Sequence, residues 1–185
     1  MKKIISYIVF AFIAITNINA QKYFTKTGEI SFYSQTPIEN IQAVSNTVTT
    51  VYDTESGNIQ WAVLIKSFTF EKSLMQEHFN ENYMESSKFP KASFKGQITN
   101  HTNVNLQKDG TYTVDVEGEL TIHGVTNLVS TKAIIVVEKG AINATSSLKV
   151  FVADYGIEIP SVVKENIAKE IEININAEYE ELSKS

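Results

Sequence analysis

Residues able to do covalent chemistry are few in this chain, and their spacing argues against it. Ser146-Ser147-Leu148-Lys149 and Ser161-Val162-Val163-Lys164 both match S-x-x-K, and Lys26-Thr27-Gly28 matches K-T-G. Such motifs together activate a serine nucleophile for acyl transfer. Residues three apart on a strand point to opposite faces, so Ser146 and Lys149 cannot cooperate. The S-D-N element is missing, and K-T-G precedes both serines instead of following them. They read as surface polar residues, with Ser161 as a helix cap. His78, His101 and His123 fall on a helix, in a loop and on a strand, without the local spacing of metal ligands. Parity places His123 on a wet strand face unless Gly118 marks a bulge. Separate surface or barrel-end histidines are the better reading. Asp154 lies on the inward side of its strand beside a Tyr155-Gly156 turn and suits a loop-capping role. No G-x-S-x-G, H-E-x-x-H, P-loop or dinucleotide fingerprint is present. The expectation is therefore no catalytic residue, no metal and no cofactor.

Composition narrows the field further. The 185 residues include three histidines, one tryptophan, no cysteine and no arginine, with sixteen lysines against twenty-one acids. An acidic chain without guanidinium groups is poorly equipped for nucleic acid. Lack of cysteine excludes thiol catalysis, thiolate metal sites, disulfides and a lipidated N-terminal cysteine. Lys2 and Lys3, the apolar Ile4–Ile15 and a cleavage edge at Asn19-Ala20 read as an export signal over residues 1–20. That apolar stretch falls short of the roughly 20 residues needed to span a bilayer. The mature domain, 21–185, is expected in the periplasm or medium with no membrane span.

The elements that must position any site are mostly strands. In Gly110–Thr126 the even positions Tyr112, Val114, Val116, Gly118, Leu120 and Ile122 are apolar or small, and the odd ones are polar. That period of two predicts a long strand with one dry face. Gly28–Ser34, Ile59–Lys66 with its continuation to Phe70, Ala92–Asn100, Leu128–Glu138, Ile142–Asp154 and Ile171–Glu180 read likewise. Ile41–Asp53 is a strand whose inner face the alternation does not resolve. The period changes in Ser73–Met84, which predicts a short helix with Ser73 as N-cap and Gln76 completing a capping box. Ile159–Lys169 reads as a short helix or loop. About eight strands with one helical insertion predict an all-β fold, an eight-stranded antiparallel barrel rather than a sandwich.

Inside such a barrel the dry faces bring together Phe32, Trp61, Val63 and Phe94 with Val114, Val116 and Leu120. Val150, Val152 and Ile173 complete the apolar lining. Gly96 and Gly118 stand among them without side chains. They either let the strands coil sharply or leave a channel for an apolar tail; in the second case Gly118→Leu would block the tube and leave folding intact.

Four motifs in order now become informative: His78-Phe79-Asn80-Glu81-Asn82-Tyr83, Lys88-Phe89-Pro90-x-Ala92-x-Phe94-x-Gly96, Gly118-x-Leu120-Thr121-Ile122-His123-Gly124-Val125-Thr126 and Asp154-Tyr155-Gly156-Ile157. With Gly28-x-Ile30-x-Phe32 before them, they resemble the YceI-like family over essentially the whole mature chain. Met84 stands after Tyr83 where a leucine is more usual. The resemblance implies an exported lipocalin-like barrel, not an enzyme, that binds polyisoprenoids or isoprenoid quinones; the expected function is to hold one long isoprenoid lipid in the barrel interior. Helix Ser73–Met84 then becomes a lid, with Leu74, Met75 and Phe79 over the ligand and His78 or Tyr83 near a head group. The alternative is an exported stress or interaction protein whose packed barrel is only a scaffold. Pairing of two barrels as a homodimer is left open.

Overall fold

The computed structural model describes residues 21–182; the export signal expected over residues 1–20 lies outside the described residues. The chain forms strands β1 (Lys22–Gln35), β2 (Asn40–Asp53), β3 (Asn58–Leu64) and the two-residue β4 (Thr69–Phe70). Helix α1 (Ser73–His78) precedes β5 (Lys91–Ile98), β6 (Gly110–Ile122), β7 (Val125–Glu138), β8 (Ala141–Phe151) and β9 (Glu170–Glu181). Every neighbouring pair is antiparallel, in the order β1-β9-β8-β7-β6-β5-β3-β2, and β1 pairs with β2 to close the barrel of eight strands. β4 adds only a short edge to β2, through Ala43 opposite Phe70. Closure leaves the main strands without free edges.

Alternation explains the inner surface. On β6 the dry positions Val114 and Leu120 are completely buried, and β9 turns Ile171, Ile173 and Ala177 inward. β1 and β2 obey the same rule but shift phase midway. β1 starts at Lys22, not at Gly28, and buries Tyr23 and Thr25 before the count moves to Gly28 and Ile30. β2 buries Ala43 and Ser45, then Val48, Thr50 and Tyr52. Register shifts between Thr25 and Gly28 and between Gly28 and Ile30 mark a bulge in each strand. A buried hydroxyl organises each one. Thr25 Oγ1 accepts the Thr27 amide (3.2 Å) and Ser45 Oγ the Thr47 amide (3.4 Å).

Two hairpins turn on two residues with positive φ, the pattern of type I′ turns, whose twist matches that of the strands. His123-Gly124 (φ 51° and 77°) joins β6 to β7, and Lys139-Gly140 (φ 51° and 83°) joins β7 to β8. His123 therefore occupies a turn, with a side chain only 12% exposed, not the wet face of a strand. Lysine is a poor choice for the left-handed region, where asparagine is favoured. Lys139→Asn should gain about 0.5–1 kcal/mol, read as a higher urea midpoint at unchanged slope; a lower midpoint would contradict this account of the turn.

The helical insertion departs from expectation at its start. Lys72 occupies the N-cap position without a side-chain cap, so Ser73 and Gln76 form no capping box. Gln76 Oε1 instead accepts the Phe70 amide at 3.2 Å, tying the helix to β4. After His78 the coil widens into a π-type turn over Phe79–Tyr83. Ser161 caps nothing either: Ser161–Val163 is one 3-10 turn entered from Pro160.

Candidate functional site

The lumen changes character along its length. At the end where β1 begins, Tyr23, Tyr52, Ile98, Val114, Ile135 and Ile142 are buried together and fill the barrel. Tyr179 meets Thr50 Oγ1 through its hydroxyl at 3.0 Å there. Burial pushes the phenols of Tyr52 and Tyr179 up to about 12, so both stay neutral. Midway lies a void of about 70 Å³ bordered by Trp61, Phe94, Val116, Leu120 and Ile175. Toward the helix end the barrel opens into a chamber of about 270 Å³.

Each wall of the chamber is a dry strand face. β1 supplies Ile30 and Phe32, β3 Trp61 and Val63, β5 Ala92, β8 Val150, and β9 Ile171 and Ile173. The helical insertion forms its roof through Met75, His78, Phe79, Tyr83 and Met84. Phe79 anchors that roof: its ring stacks on Phe32 (5.3 Å, 26°) and touches Phe70 (5.0 Å) and Phe68 (5.8 Å). Such aromatic contacts each add about 0.5–1.5 kcal/mol beyond area burial. The far end of the roof is latched by His123. Its Nε2 lies 2.9 Å from Glu85 Oε2, its Nδ1 3.2 Å from the Tyr155 main-chain oxygen, and Phe89 packs edge-on at 4.5 Å. His123 thus joins three of the motifs that carry the family resemblance, its own and those of Phe89 and Tyr155.

Polar groups gather at the rim. Glu39 borders the chamber and accepts hydrogen bonds from Asn166 Nδ2 and Lys72 Nζ, each at 3.2 Å. The Asn166 amide and then the Lys72 ammonium hold its carboxyl below the usual range, so it is ionised. Ser34, buried beside it, accepts the Ala168 amide at 2.8 Å and keeps its hydroxyl hydrogen to donate.

The expected site residues divide into three groups. Phe32, Trp61, Val63, Val150, Val152 and Ile173, with Met75, His78, Phe79 and Tyr83 of the roof, line the chamber. Phe94, Val116 and Leu120 border only the smaller void. Leu74 is 59% exposed on the outer side of the helix, and Val114 belongs to the packed end. Gly96 and Gly118 border neither void. They face one another across β5 and β6, and the Phe94 ring lies over both. A Cβ at Gly96 would come within 2.5 Å of Phe94 Cζ, and one at Gly118 within 2.6 Å of the Lys95 carbonyl oxygen and 2.8 Å of Phe94 Cζ. These glycines seat a ring and let two backbones approach; they leave no channel. Asp154 is exposed in a 3-10 turn, and its loop contact is made by its main-chain oxygen, which accepts Asn127 Nδ2 at 2.8 Å.

Several lining residues escaped the sequence reading. Ile157, Ile159, Val163 and Ile167 come from the irregular connection after β8, where no period marks an inward face. Ile65 continues the β3 phase of Trp61 and Val63 as its strand pattern predicts, whereas Phe68 and Phe70, expected on the continuation of that strand, reach the chamber after a 3-10 turn that moves the inward set from odd to even positions. Ile30 and Ile41 carry a legible signal, being apolar strand positions in phase with Phe32 and Ala43. No group of three or more His, Cys, Asp or Glu side chains suited to a metal occurs among the described residues. No helix among them is long and apolar enough to cross a membrane.

Consecutive antiparallel strands closed around an apolar hollow define a small up-and-down barrel, an architecture whose lumen has room for one slender ligand. The YceI-like domain profile matches residues 15–179, and the chain belongs to that family. The polyisoprenoid binding domain from Saccharophagus degradans implicated in plant cell wall breakdown is a structural relative: TM-score 0.76 at 16% identity, covering 87% of this chain and 98% of that one. Burkholderia cenocepacia BcnA aligns with TM-score 0.68 at 14% identity, over 83% of this chain and 96% of its own. The Campylobacter jejuni YCEI protein aligns over 100% of both chains at 16% identity, with a lower TM-score of 0.51. Identities this low establish a shared fold. Comparison with curated protein sequences finds no match.

Proposed function

We propose that this chain is an exported, non-enzymatic protein that holds an isoprenoid lipid in its barrel. The observation that carries this reading is the 270 Å³ chamber, walled by aliphatic and aromatic side chains and roofed by a helix. A branched hydrocarbon tail offers only dispersion and burial, worth roughly 0.8 kcal/mol per buried CH₂. A dry apolar hollow collects that energy without demanding hydrogen bonds in return. The polyisoprenoid-binding description of the S. degradans relative supports the same ligand class. Packing of the barrel's other end suits a scaffold, but a scaffold gives no reason for an unfilled apolar hollow.

The rim favours the head group of an alcohol or a quinone over a phosphate. Glu39 stands ionised at the chamber edge with its charge partly met by Lys72, and a diphosphate there would meet a like charge. Ser34 and Tyr83 can hydrogen-bond a hydroxyl or a carbonyl. Lys2, Lys3 and the apolar run after them support export to the periplasm.

Mass spectrometry of an organic extract tests the reading, on protein recovered from the periplasmic fraction of its own host. The expected result is an isoprenoid alcohol or quinone near one per chain, on a polypeptide beginning at or near Gln21. Lipid-free protein that also takes up no added farnesol would overturn it.

A further inference from the structure

We infer that Trp61, braced by Phe94, sets the length of hydrocarbon the barrel accepts, and that the chamber is cut for about two isoprene units, or three with the last at the mouth. This rests on the lipid-holding reading and adds a limit to it. Among the described residues, Trp61 is the one that borders both the chamber and the smaller void behind it. It stands opposite Phe94 on the neighbouring strand, and the two rings stack at 6.0 Å with 15° between their planes. Together they form a wall across the lumen.

Volumes give the length. An apolar cavity of about 150 Å³ takes one six-carbon ring. A chamber of 270 Å³ then takes on the order of ten to twelve carbons, about two isoprene units. The void behind the wall, about 70 Å³, is too small for another unit while the indole stands. Phe94 cannot withdraw, because its ring already rests on Gly96 and Gly118 with the Lys95 and Glu117 carbonyls behind them. Trp61 is only partly buried, so it is the side of the wall that substitution can remove. Removing the indole joins the two spaces and adds the volume of the ring itself.

Calorimetric titration with all-trans isoprenols of one to six units, delivered from cyclodextrin at controlled free concentration, tests the limit. For the unsubstituted protein, affinity should rise about tenfold or more per unit through the second or third. It should then stay level within threefold. Trp61→Ala should move the break outward by at least one unit and bind the four-unit alcohol at least tenfold more tightly than the unsubstituted protein does. Trp61→Phe, which keeps a ring in the wall, should leave the break in place. A continued rise past three units in the unsubstituted protein would overturn the limit, whatever the variants do. So would a folded Trp61→Ala protein with an unmoved break. If no isoprenol of any length binds, the lipid-holding reading itself fails; binding without a break removes only the ruler.

Discussion

Gly118→Leu is expected to destabilise the barrel by ~3 kcal/mol or more, the upper range of overpacking effects, rather than to plug a channel in a folded protein. The reason lies in the backbone. A Cβ at this position meets the Gly96 Cα across the pair, lies 2.6 Å from the Lys95 carbonyl oxygen, and approaches Phe94 Cζ to 2.8 Å. The first two are main-chain atoms of a paired strand and cannot step aside as a flexible side chain would. Phe94 is itself held by the Trp61 stack. Gly118→Ala already brings the offending carbon and should lose a large part of the same stability. Urea unfolding measures both variants. A Gly118→Leu protein with an unchanged midpoint would show that the two strands can separate there, and that the glycines serve something other than close approach.

Ala92→Phe is expected to do what the glycine substitution cannot, emptying the protein of ligand while leaving it folded. Ala92 is buried on β5, opposite Val63 on β3, and both border the chamber. A benzyl group added at this point enters the hollow, where it gains apolar contact and displaces the tail. Losing burial of roughly four carbons, most of one isoprene unit, removes about 3 kcal/mol at ~0.8 kcal/mol per carbon. That is on the order of a hundredfold in Kd. Stability should change by no more than about 1 kcal/mol, since volume is added where little is displaced. Titration with farnesol beside a urea curve reads both quantities. Undiminished affinity in a folded variant would place the tail somewhere other than this chamber.

How far the sequence reveals these features depends on how locally they are encoded. The inward faces of β6 and β9 could be read from alternation because nothing interrupts it between Tyr112 and Ile122 or between Ile171 and Tyr179. β2 resisted because a bulge after Ser45 moves its buried set from odd to even positions, and Ser45 is a polar residue on the dry side. The same slip hid the first third of β1, where Thr25 is buried. Trp61, Val63, Val150 and Ile173 were found as chamber residues because they share a strand phase. The lining from Ile157 to Ile167 was not, because an irregular segment has no phase to read. The helix cap failed for another reason: Gln76 had a competing partner in the Phe70 amide, supplied by a strand whose nearness the local sequence does not disclose. Phe94 and its two glycines show the same limit. Their types and spacing are plain, but the fact that the ring fills the space the glycines vacate belongs to the folded pair of strands.

The central proposal is that the hollow under the helical roof takes up an isoprenoid tail, and a crystal structure of the protein with bound farnesol examines it most directly. The tail should lie among Ile30, Val63, Phe79, Val150 and Ile173, stop against Trp61, and present its hydroxyl toward Ser34 and Glu39. A chamber closed by its own side chains, or filled with ordered water while farnesol sits on the outer surface, would contradict the account.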